Sequence, residues 1–366
     1  MALSKMARVN VGVIGCGKAG QAHLHWYAQN PACRIVGVYD PDKNRSQAVA
    51  KEHDAVAFAS WQEIASHPGV SLVSVCGPES VRAQQSVFVS QQGNHSLCEK
   101  PLANSLAECD RMIDAAESGN VFLMTFFNMR FHPVVDAVGQ VLDQIGPIYA
   151  LRLDYTQFRT TVGWRHKIEQ GGGVLKSQGV HPIDLATYWA GPVATVSGEM
   201  SVVHPQRAVE DLALIMLRFQ SGAVGEIYTC YTDRQEEAMY GSLHGMKGRL
   251  TFRLSPYQPE LNQVQLQATG ESGIVPLRAP DVIDPVYPGL QDCSKRAIDH
   301  FVACVAARRP SHLNGQLGRQ AIEIVLAGYE SQRRGGKVAL PLEESDTGDL
   351  RACFPRFDTK GYGFVD

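Results

Sequence analysis

The first third of the chain alternates short apolar segments with segments that begin like helices, and this alternation restricts the fold more than any other feature. Five apolar segments follow one another up to about residue 127, and they read RVNVGVIG, CRIVGVYD, VSLVSVCG, HSLCEKP and NVFLMTFF. Strands that are apolar almost throughout are typical of a parallel sheet covered by helices on both faces. The sequence therefore predicts an α/β domain built on a parallel sheet.

The segments between these strands carry helix start and stop signals. Ser60 with Glu63, and Ser105 with Glu108, have the spacing of a capping box, in which each side chain bonds a free amide at the helix start. Gly119 stands where a left-handed residue commonly ends a helix. We therefore expect helices that begin after Ser60 and Ser105, the second ending at Gly119.

The turn after the first strand reads GCGKAG and fits the pattern G-x-G-x-x-G. In a dinucleotide site Gly15 allows the tight turn, Gly17 lets the backbone approach a pyrophosphate, and Gly20 lets helix and strand pack closely. The free N–H groups of the following helix then face the negative charge. We predict a dinucleotide site whose phosphate loop consists of Gly15, Cys16, Gly17, Lys18, Ala19 and Gly20.

Asp40 ends the second predicted strand and indicates which dinucleotide binds. Its carboxylate can accept hydrogen bonds from both hydroxyls of the adenosine ribose, and it would repel a 2′-phosphate. We therefore expect NAD as the cofactor. Lys43 and Arg45 follow closely and leave NADP open as an alternative, although a solvated helix start also explains them.

Lys100, in the segment LCEKPLA, lies just beyond the carboxyl end of another predicted strand. Ligands of open α/β sheets bind outside the carboxyl ends of their strands. A lysine there can donate to a substrate hydroxyl and stabilise the alkoxide that develops as hydride leaves. A surface lysine beside a capping glutamate explains this segment equally well when it is taken alone.

From about residue 129 the pattern changes to alternating strands. YALRLDYTQF places apolar and polar residues on opposite faces, and DLALIMLRF and AVGEIYTCYT flank a short connection that contains glycine. This half predicts an antiparallel sheet with one face on helices and the other against solvent or a partner subunit. We divide the chain into two domains, residues 1–128 and 129–366.

The segment GGGVLKSQGVHPIDLATYWAG, residues 171–191, carries the second candidate for chemistry. On one helix, Ser177, His181 and Asp184 share a face, and the glycines before it let the chain pass close to a ligand. A histidine with its ordinary pKa of about 6.5 can take a proton from an alcohol near neutral pH. A lone helix histidine is more often structural, and Asp184 is expected to hold a backbone group or an arginine rather than to serve His181.

Composition excludes several classes of function. A net charge of −3 with no block of like charges argues against nucleic-acid binding. No apolar run approaches the ~18 residues of a membrane helix, and Asn10, Gly12 and Gly15 interrupt the first apolar stretch in a way that a signal peptide would not. Nine cysteines without metal-ligand spacing predict reduced thiols, no metal site and a cytoplasmic location.

GCGKAG, CEKPLA, FNMRFHP and the segment around His181, together with YGSLHGMKGRLTF, resemble the Gfo/Idh/MocA family of glucose–fructose oxidoreductase and inositol dehydrogenase. The resemblance covers nearly the whole chain. It implies a Rossmann domain followed by an α/β domain with an open, mostly antiparallel sheet, through which two or four copies assemble. It also implies a nicotinamide-dependent dehydrogenase or reductase of sugars, cyclitols or related polyols, with His181 as acid/base and Lys100 stabilising the alkoxide.

The resemblance extends to the remaining site residues and to a cis peptide between Lys100 and Pro101. The further cofactor contacts that it implies are Cys76, Gly77, Pro78, Glu99, Lys100, Asn128, Trp164 and Arg165. The substrate contacts that it suggests are Lys100, Arg159, Ser177 and His181.

The chain departs from the family pattern at two places. Ser177 stands where the family usually has Asp, and Gly77-Pro78-Glu79 with Arg82 replaces Thr-Pro-Asn with a His four residues after the proline. Two other functions therefore stay open: a hydrolase or isomerase that recycles bound NAD, and a non-catalytic sensor that binds dinucleotide. The presence of both Lys100 and His181 argues against the sensor, whereas Ser177 argues for it.

Overall fold

The computed structural model describes residues 8–159, 172–234, 236–278, 291–343 and 355–356. The chain divides into two compact units, Met1–Asn128 with Ser294–Gln320, and Met129–Cys293 with Ala321–Asp366. The segment Ser294–Gln320 thus packs with the first unit. The predicted division at residue 128 places this segment in the second domain instead.

The first unit contains a parallel sheet of six strands in the order β3-β2-β1-β4-β5-β6. The strands are β1 Val9–Ile14, β2 Cys33–Tyr39, β3 Val56–Ala57, β4 Leu72–Val75, β5 His95–Cys98 and β6 Leu123–Thr125. The helices that follow the first five strands are α1 Lys18–Gln29, α2 Lys43–Glu52, α3 Trp61–Ser66, α4 Glu79–Gln91 and α5 Leu106–Ser118. Strand β4 is buried along its whole length, because helices cover both faces of the sheet, and the predicted Rossmann fold is confirmed.

The order in which the strands are added to this sheet reverses at β1, so that β1 and β4 are neighbours. Strands β2 and β3 lie on one side of β1, and β4 to β6 lie on the other. Ligands of doubly wound sheets bind at such a switch point, outside the carboxyl ends of the strands. The fold therefore places the crevice where β1 ends at Ile14 and β4 ends at Val75.

The predicted helix starts and the predicted end of α5 at Gly119 are confirmed, whereas the left-handed conformation expected at Gly119 is wrong. The hydroxyls of Ser60 and Ser105 each accept a hydrogen bond of 3.2 Å from the amide three residues later. Gly119 has a φ of −79°, and the left-handed residue is Asn120 with a φ of 49°. Gly119 is required for a different reason, since a Cβ there would lie 2.6 Å from the carbonyl oxygen of Ser90.

The second unit contains a sheet of nine strands in the order β14-β13-β12-β11-β7-β10-β9-β8-β15. The strands are β7 Ile148–Thr156, β8 Val193–Ser201, β9 Leu212–Phe219, β10 Val224–Cys230, β11 Ala238–Gly245, β12 Gly248–Leu254, β13 Gln263–Ala268, β14 Glu271–Val275 and β15 Val338–Ala339. Every neighbouring pair is antiparallel except β7 with β10, so the predicted open, mostly antiparallel sheet is confirmed.

The remaining α-helices of the described residues follow β6 in the chain. They are α6 Pro133–Val141, α7 Val174–Ser177, α8 Val180–Ala190, α9 Gln291–Ala306 and α10 Gly315–Arg334. Helix α8 packs on β7 and β10, which buries Leu151 and Leu153 on that face. On the outer face Arg152, Met216 and Tyr240 are exposed, as the alternation in β7 predicts.

Candidate active site

The glycine turn of the first unit has the geometry that its sequence predicts. Gly15 has a φ of +93°, which a residue with a side chain rarely adopts. A Cβ at Gly20 would lie 1.8 Å from the carbonyl oxygen of Gly15, so only glycine allows this packing of α1 on the turn. At Gly17 no atom of the described residues lies within 4 Å of an added Cβ, which leaves open space beside the turn.

The start of α1 fits an anionic group. Gly17 is its N-cap, no side chain caps the helix, and the first turn, which begins with Lys18 and Ala19, contains no acidic residue. The positive end of the helix and its amides therefore stay available for a pyrophosphate. The Cys16 thiol is buried, and burial, followed by the charge of Asp40, raises its pKa to about 12, so this thiol stays protonated.

Asp40, which follows β2, is hydrogen-bonded to the glycine turn. One carboxylate oxygen accepts a hydrogen bond of 2.8 Å from the Cys16 amide. The other accepts from the Asp42 amide at 2.9 Å and from the Arg45 guanidinium at 3.1 Å. A carboxylate offers about four acceptor sites, so Asp40 retains capacity for a ribose hydroxyl. Arg45, for which the sequence left both NADP binding and a solvated helix start open, is half-exposed and paired with Asp40.

Lys100 follows β5 at the same edge of the sheet, and the peptide between Lys100 and Pro101 is cis, as predicted. The preceding Glu99 carboxylate accepts a hydrogen bond of 3.1 Å from the Lys100 amide. Its other oxygen lies 3.2 Å from Nε2 of His23, which is buried on α1. The backbone on the amino side of Lys100 is therefore tied to the helix that follows the glycine turn.

A buried polar network continues behind Glu99. His23 Nδ1 lies 3.1 Å from the Ser74 hydroxyl, which lies 2.7 Å from the Tyr27 hydroxyl. Burial raises the pKa of Glu99, but the hydrogen bond with His23 and the charges of His23, Lys100 and Arg82 outweigh it and hold this pKa below its usual value. Glu99 is therefore an anion at neutral pH. Neither His23 nor Ser74 was singled out from the sequence, because their contact depends on how α1 packs on β4.

The loop after β4 packs directly on the glycine turn. A Cβ at Gly15 would lie 3.0 Å from the Cys76 carbonyl carbon and 3.0 Å from the Gly77 amide nitrogen. Pro78 precedes α4 as its N-cap. Burial raises the pKa of the Cys76 thiol well above its ordinary value, so that it packs as a neutral group. Asn128 lies farther along the unit, and its side-chain amide donates a hydrogen bond of 2.8 Å to the Ser294 hydroxyl.

In the second unit the segment around His181 is two helices, not one. Helix α7 ends at Ser177 and α8 begins at Val180, and a Cβ at Gly179 would lie 2.4 Å from the carbonyl oxygen of Leu175. The prediction that Ser177 shares one helix face with His181 is therefore wrong, because the tight turn at Gly179 breaks the helical spacing. His181 and Asp184 do lie together in α8.

His181 is buried near the start of α8, and its ring lies 6.3 Å from the ring of Tyr155 in an edge-on arrangement. Tyr155 donates a hydrogen bond of 2.7 Å to the carboxylate of Glu237. Burial, followed by the charge of Glu237, raises the pKa of Tyr155 well above its ordinary value, so Tyr155 stays a neutral donor.

Asp184 holds Arg130, as expected. The Nε and Nη2 atoms of Arg130 each donate to one Asp184 oxygen at 2.7 Å, and both side chains are buried. Burial raises the pKa of Asp184, and the Arg130 charge opposes that rise. The Arg130 guanidinium also lies 4.4 Å from the centre of the Tyr188 ring.

Ser177 is engaged by the protein itself. Its hydroxyl donates a hydrogen bond of 2.7 Å to the Gly173 carbonyl and lies 2.6 Å from the Tyr231 hydroxyl. A serine has one proton to donate, so Tyr231 is the donor of the second bond. No sequence pattern indicates this contact, since Tyr231 lies 54 positions from Ser177 in the chain.

Gly173, just before α7, is explained by a carboxylate rather than by a bound ligand. A Cβ at Gly173 would lie 1.6 Å from a Glu210 carboxylate oxygen, and the Leu175 amide donates to the other oxygen at 3.1 Å. Tyr329 donates to the same oxygen at 2.8 Å. The expectation that these glycines admit a ligand is therefore wrong at Gly173. Burial raises the pKa of Glu210 to about 8.

Arg159 lies at the end of the described part of this region. Its Nε donates to the Gln157 side chain, and its guanidinium lies 5.3 Å from the centre of the Tyr231 ring. Two predicted cofactor residues, Trp164 and Arg165, lie outside the described residues.

Within the ranges that the structure describes, His, Cys, Asp and Glu side chains form no group of three that could hold a metal ion. No helix among those residues has the length and apolar character that crossing a membrane requires.

The chain matches known proteins over most of its length. Residues 9–127 match the oxidoreductase family with an NAD-binding Rossmann fold, Gfo/Idh/MocA, and residues 140–340 match its C-terminal alpha/beta domain. D-apiose dehydrogenase of Paraburkholderia graminis is 25% identical over 354 residues, which cover 93% of this chain and 92% of that protein. Myo-inositol 2-dehydrogenase of Thermotoga maritima is 26% identical over 351 residues, which cover 92% and 99%.

A solved structure of levoglucosan dehydrogenase with NADH and levoglucosan has the same fold, with a TM-score of 0.84 and 23% identity over 92% of this chain and 100% of that one. The glycine turn, the switch point and the two matched domains agree on one assignment. The chain belongs to the Gfo/Idh/MocA family of oxidoreductases, and residues 9–127 form the NAD-binding Rossmann fold of that family.

Proposed function

We propose that the protein transfers hydride between NAD and a hydroxyl or keto group of a sugar, cyclitol or related polyol. The observation that carries the proposal is the edge of the parallel sheet, where the glycine turn, Asp40 and Lys100 follow the ends of β1, β2 and β5. The dehydrogenases of D-apiose and myo-inositol among its relatives support this substrate class.

The chemistry requires a proton acceptor and a cation or donor at the substrate oxygen. When NAD is bound, its nicotinamide supplies the hydride acceptor. We assign His181 as the base that takes the hydroxyl proton, and Lys100 as the donor that stabilises negative charge developing on that oxygen. In the reverse direction His181 returns the proton to the same oxygen. We call the edge of the parallel sheet formed by the glycine turn, Asp40 and Lys100 the cofactor edge. Lys100 lies there beside Glu99.

Ser177 is assigned a smaller role in substrate choice. Its proton is committed to Gly173, so it offers a substrate only acceptor capacity. We assign Arg159 to the substrate as well, because its guanidinium is half-buried beside Tyr231 and no carboxylate of the described residues pairs with it.

We also propose that copies of the chain assemble through the outer face of the nine-stranded sheet and that the enzyme works in the cytoplasm. Met216 and Tyr240 are 54% and 39% exposed on this face, and apolar side chains in such a position are typical of a protein interface. Arg152 and Glu226, 3.6 Å apart on the same face, provide charges that fix the register of two copies.

A substrate screen with NAD tests the proposal. Inositols, aldoses, anhydrosugars and glycosides are offered one at a time, and nicotinamide reduction is followed by absorbance. A dehydrogenase accumulates one NADH for each molecule of substrate oxidised. Conversion of a substrate without net NADH would instead support the hydrolase or isomerase that recycles its cofactor, and NAD binding without any turnover would support the sensor.

A further inference from the structure

Arg82, one of the departures from the family pattern, connects two loops at the cofactor edge of the first unit. It lies on α4, and its side chain is buried. Its Nη2 donates a hydrogen bond of 2.9 Å to the carbonyl of Gly77, and its Nη1 donates to the carbonyl of Pro101. Gly77 belongs to the loop after β4 and Pro101 to the loop after β5, so one side chain joins the loops of two neighbouring strands.

The guanidinium suits this task because of its shape and its charge. It presents its N–H groups in a fixed planar fork, and hydrogen bonds from a cation to a carbonyl are stronger than those between neutral groups. The Nε atom of Arg82 is buried and has no hydrogen-bond partner among the described residues. An unsatisfied buried N–H destabilises a fold, so the two Nη contacts must outweigh that cost.

These contacts complete the support on both sides of Lys100. Glu99, on its amino side, bonds the Lys100 amide and His23. Pro101, on its carboxyl side, is held by Arg82. We propose that Arg82 is a positioning residue, which fixes the loop of Lys100 against the loop of Gly77 and so aims the ammonium group at the substrate oxygen. This inference rests on the role proposed above for Lys100.

The usual family residue at this position would not make the same connection. A neutral histidine has one N–H to donate, so Arg82→His can hold at most one of the two carbonyls. Arg82→Lys keeps the charge but loses the planar fork. If joining the loops matters, both variants fail in the same way as Arg82→Ala, whereas a purely electrostatic role would be rescued by lysine.

The experiment compares Arg82→Ala, Arg82→Lys and Arg82→His with the control Arg111→Ala, whose side chain is exposed on α5. We expect kcat to fall by about 10- to 100-fold in all three Arg82 variants, as misplacement of a catalytic group does, with a smaller change in KM for substrate and in the Kd for NAD. Hydrogen exchange in the peptide around Lys100 should become faster in these variants and stay unchanged in the control.

A double-mutant cycle with Lys100→Ala decides whether Arg82 acts through Lys100. In the Lys100→Ala background the loss of Arg82 should cost little further turnover, because effects of residues that act as a unit are not additive. Equal losses in both backgrounds, or full activity of Arg82→Lys, would overturn the proposal. If Lys100→Ala alone is fully active, the role of Lys100 fails, and hydrogen exchange still shows whether Arg82 holds the loop. If Arg82→Ala does not fold, the lysine and histidine variants carry the same comparison.

Discussion

The cofactor edge of the first unit and the α7–α8 region of the second unit are built in opposite ways. At the edge, each functional residue follows the end of a parallel strand, so its position is determined by the strand that precedes it. Around α7 and α8 the positions depend on partners far along the chain: Glu210 against Gly173, Tyr231 against Ser177 and Arg130 against Asp184. Motif spacing therefore describes the first region well and the second region poorly.

The largest expected effect is on turnover, and it tests whether the α7–α8 region supplies the proton acceptor. His181→Ala should lower kcat by about 10²- to 10⁴-fold, the usual contribution of a general acid or base, and leave NAD affinity nearly unchanged. The measurements are kcat and the Kd for NAD. His244→Ala, on β11 of the same unit, is the matched control and should keep normal turnover. Near-normal turnover of His181→Ala would show that another group carries the proton.

The second effect concerns the buried ion pair of Asp184 with Arg130. Asp184→Ala should destabilise the protein by about 3–5 kcal/mol, because it leaves the buried Arg130 cation without its bidentate partner. Denaturant unfolding measures the loss. Arg130→Ala with Asp184→Ala should be less destabilised than the sum of the two single variants. Additive losses would mean that the two side chains are stabilised separately.

A third prediction uses the raised pKa of Glu210 in the same region. Between its ordinary value in the unfolded chain and about 8 in the folded protein, the folded state binds the extra proton. The free energy of unfolding should therefore fall as pH rises through this window. Glu210→Gln, which mimics the protonated carboxyl, should show a flatter dependence over the same range. An identical slope in both proteins would place the titration elsewhere.

A fourth, smaller effect sharpens the description of the cofactor edge. Asp40→Ala should reduce the preference for NAD over NADP by about 10-fold, since it removes the anion that repels a 2′-phosphate and releases Arg45. The ratio of the two Kd values measures the change, with Asp42→Ala as the neighbouring control. An unchanged ratio would remove Asp40 from the ribose site.

The smallest effect tests Ser177. Ser177→Asp should retain activity and move the pH optimum of turnover upward when the new carboxylate acts on His181, because a neighbouring negative charge favours the protonated imidazole. A downward shift would mean that the introduced charge does not act on His181. Ser177→Ala, which removes the bonds with Gly173 and Tyr231, separates this charge effect from simple loss of the hydroxyl.

The sequence predicted features well where the contacting residues are close together in the chain, and poorly where they are far apart. Gly20 and the caps at Ser60 and Ser105 were predictable because their partners lie only a few residues away in the chain. The left-handed conformation was expected one residue too early, at Gly119 rather than at Asn120, since the sequence does not reveal how closely α5 approaches Ser90.

Longer-range features gave no local signal. The break at Gly179 lies inside an apolar pattern that reads as one helix. The return of Ser294–Gln320 to the first unit, and the link from Arg82 to Pro101, depend on packing between elements that periodicity does not report.

The central claim is that the glycine turn binds NAD, and Gly17→Val tests it most directly. Gly17 and Gly139 both have open space where a Cβ would stand, with no atom of the described residues within 4 Å of that carbon. Isothermal titration with NAD should show binding to the wild type and to Gly139→Val, and no measurable binding to Gly17→Val, because the new side chain occupies the space for the pyrophosphate. Equal NAD affinity in all three proteins would contradict the account.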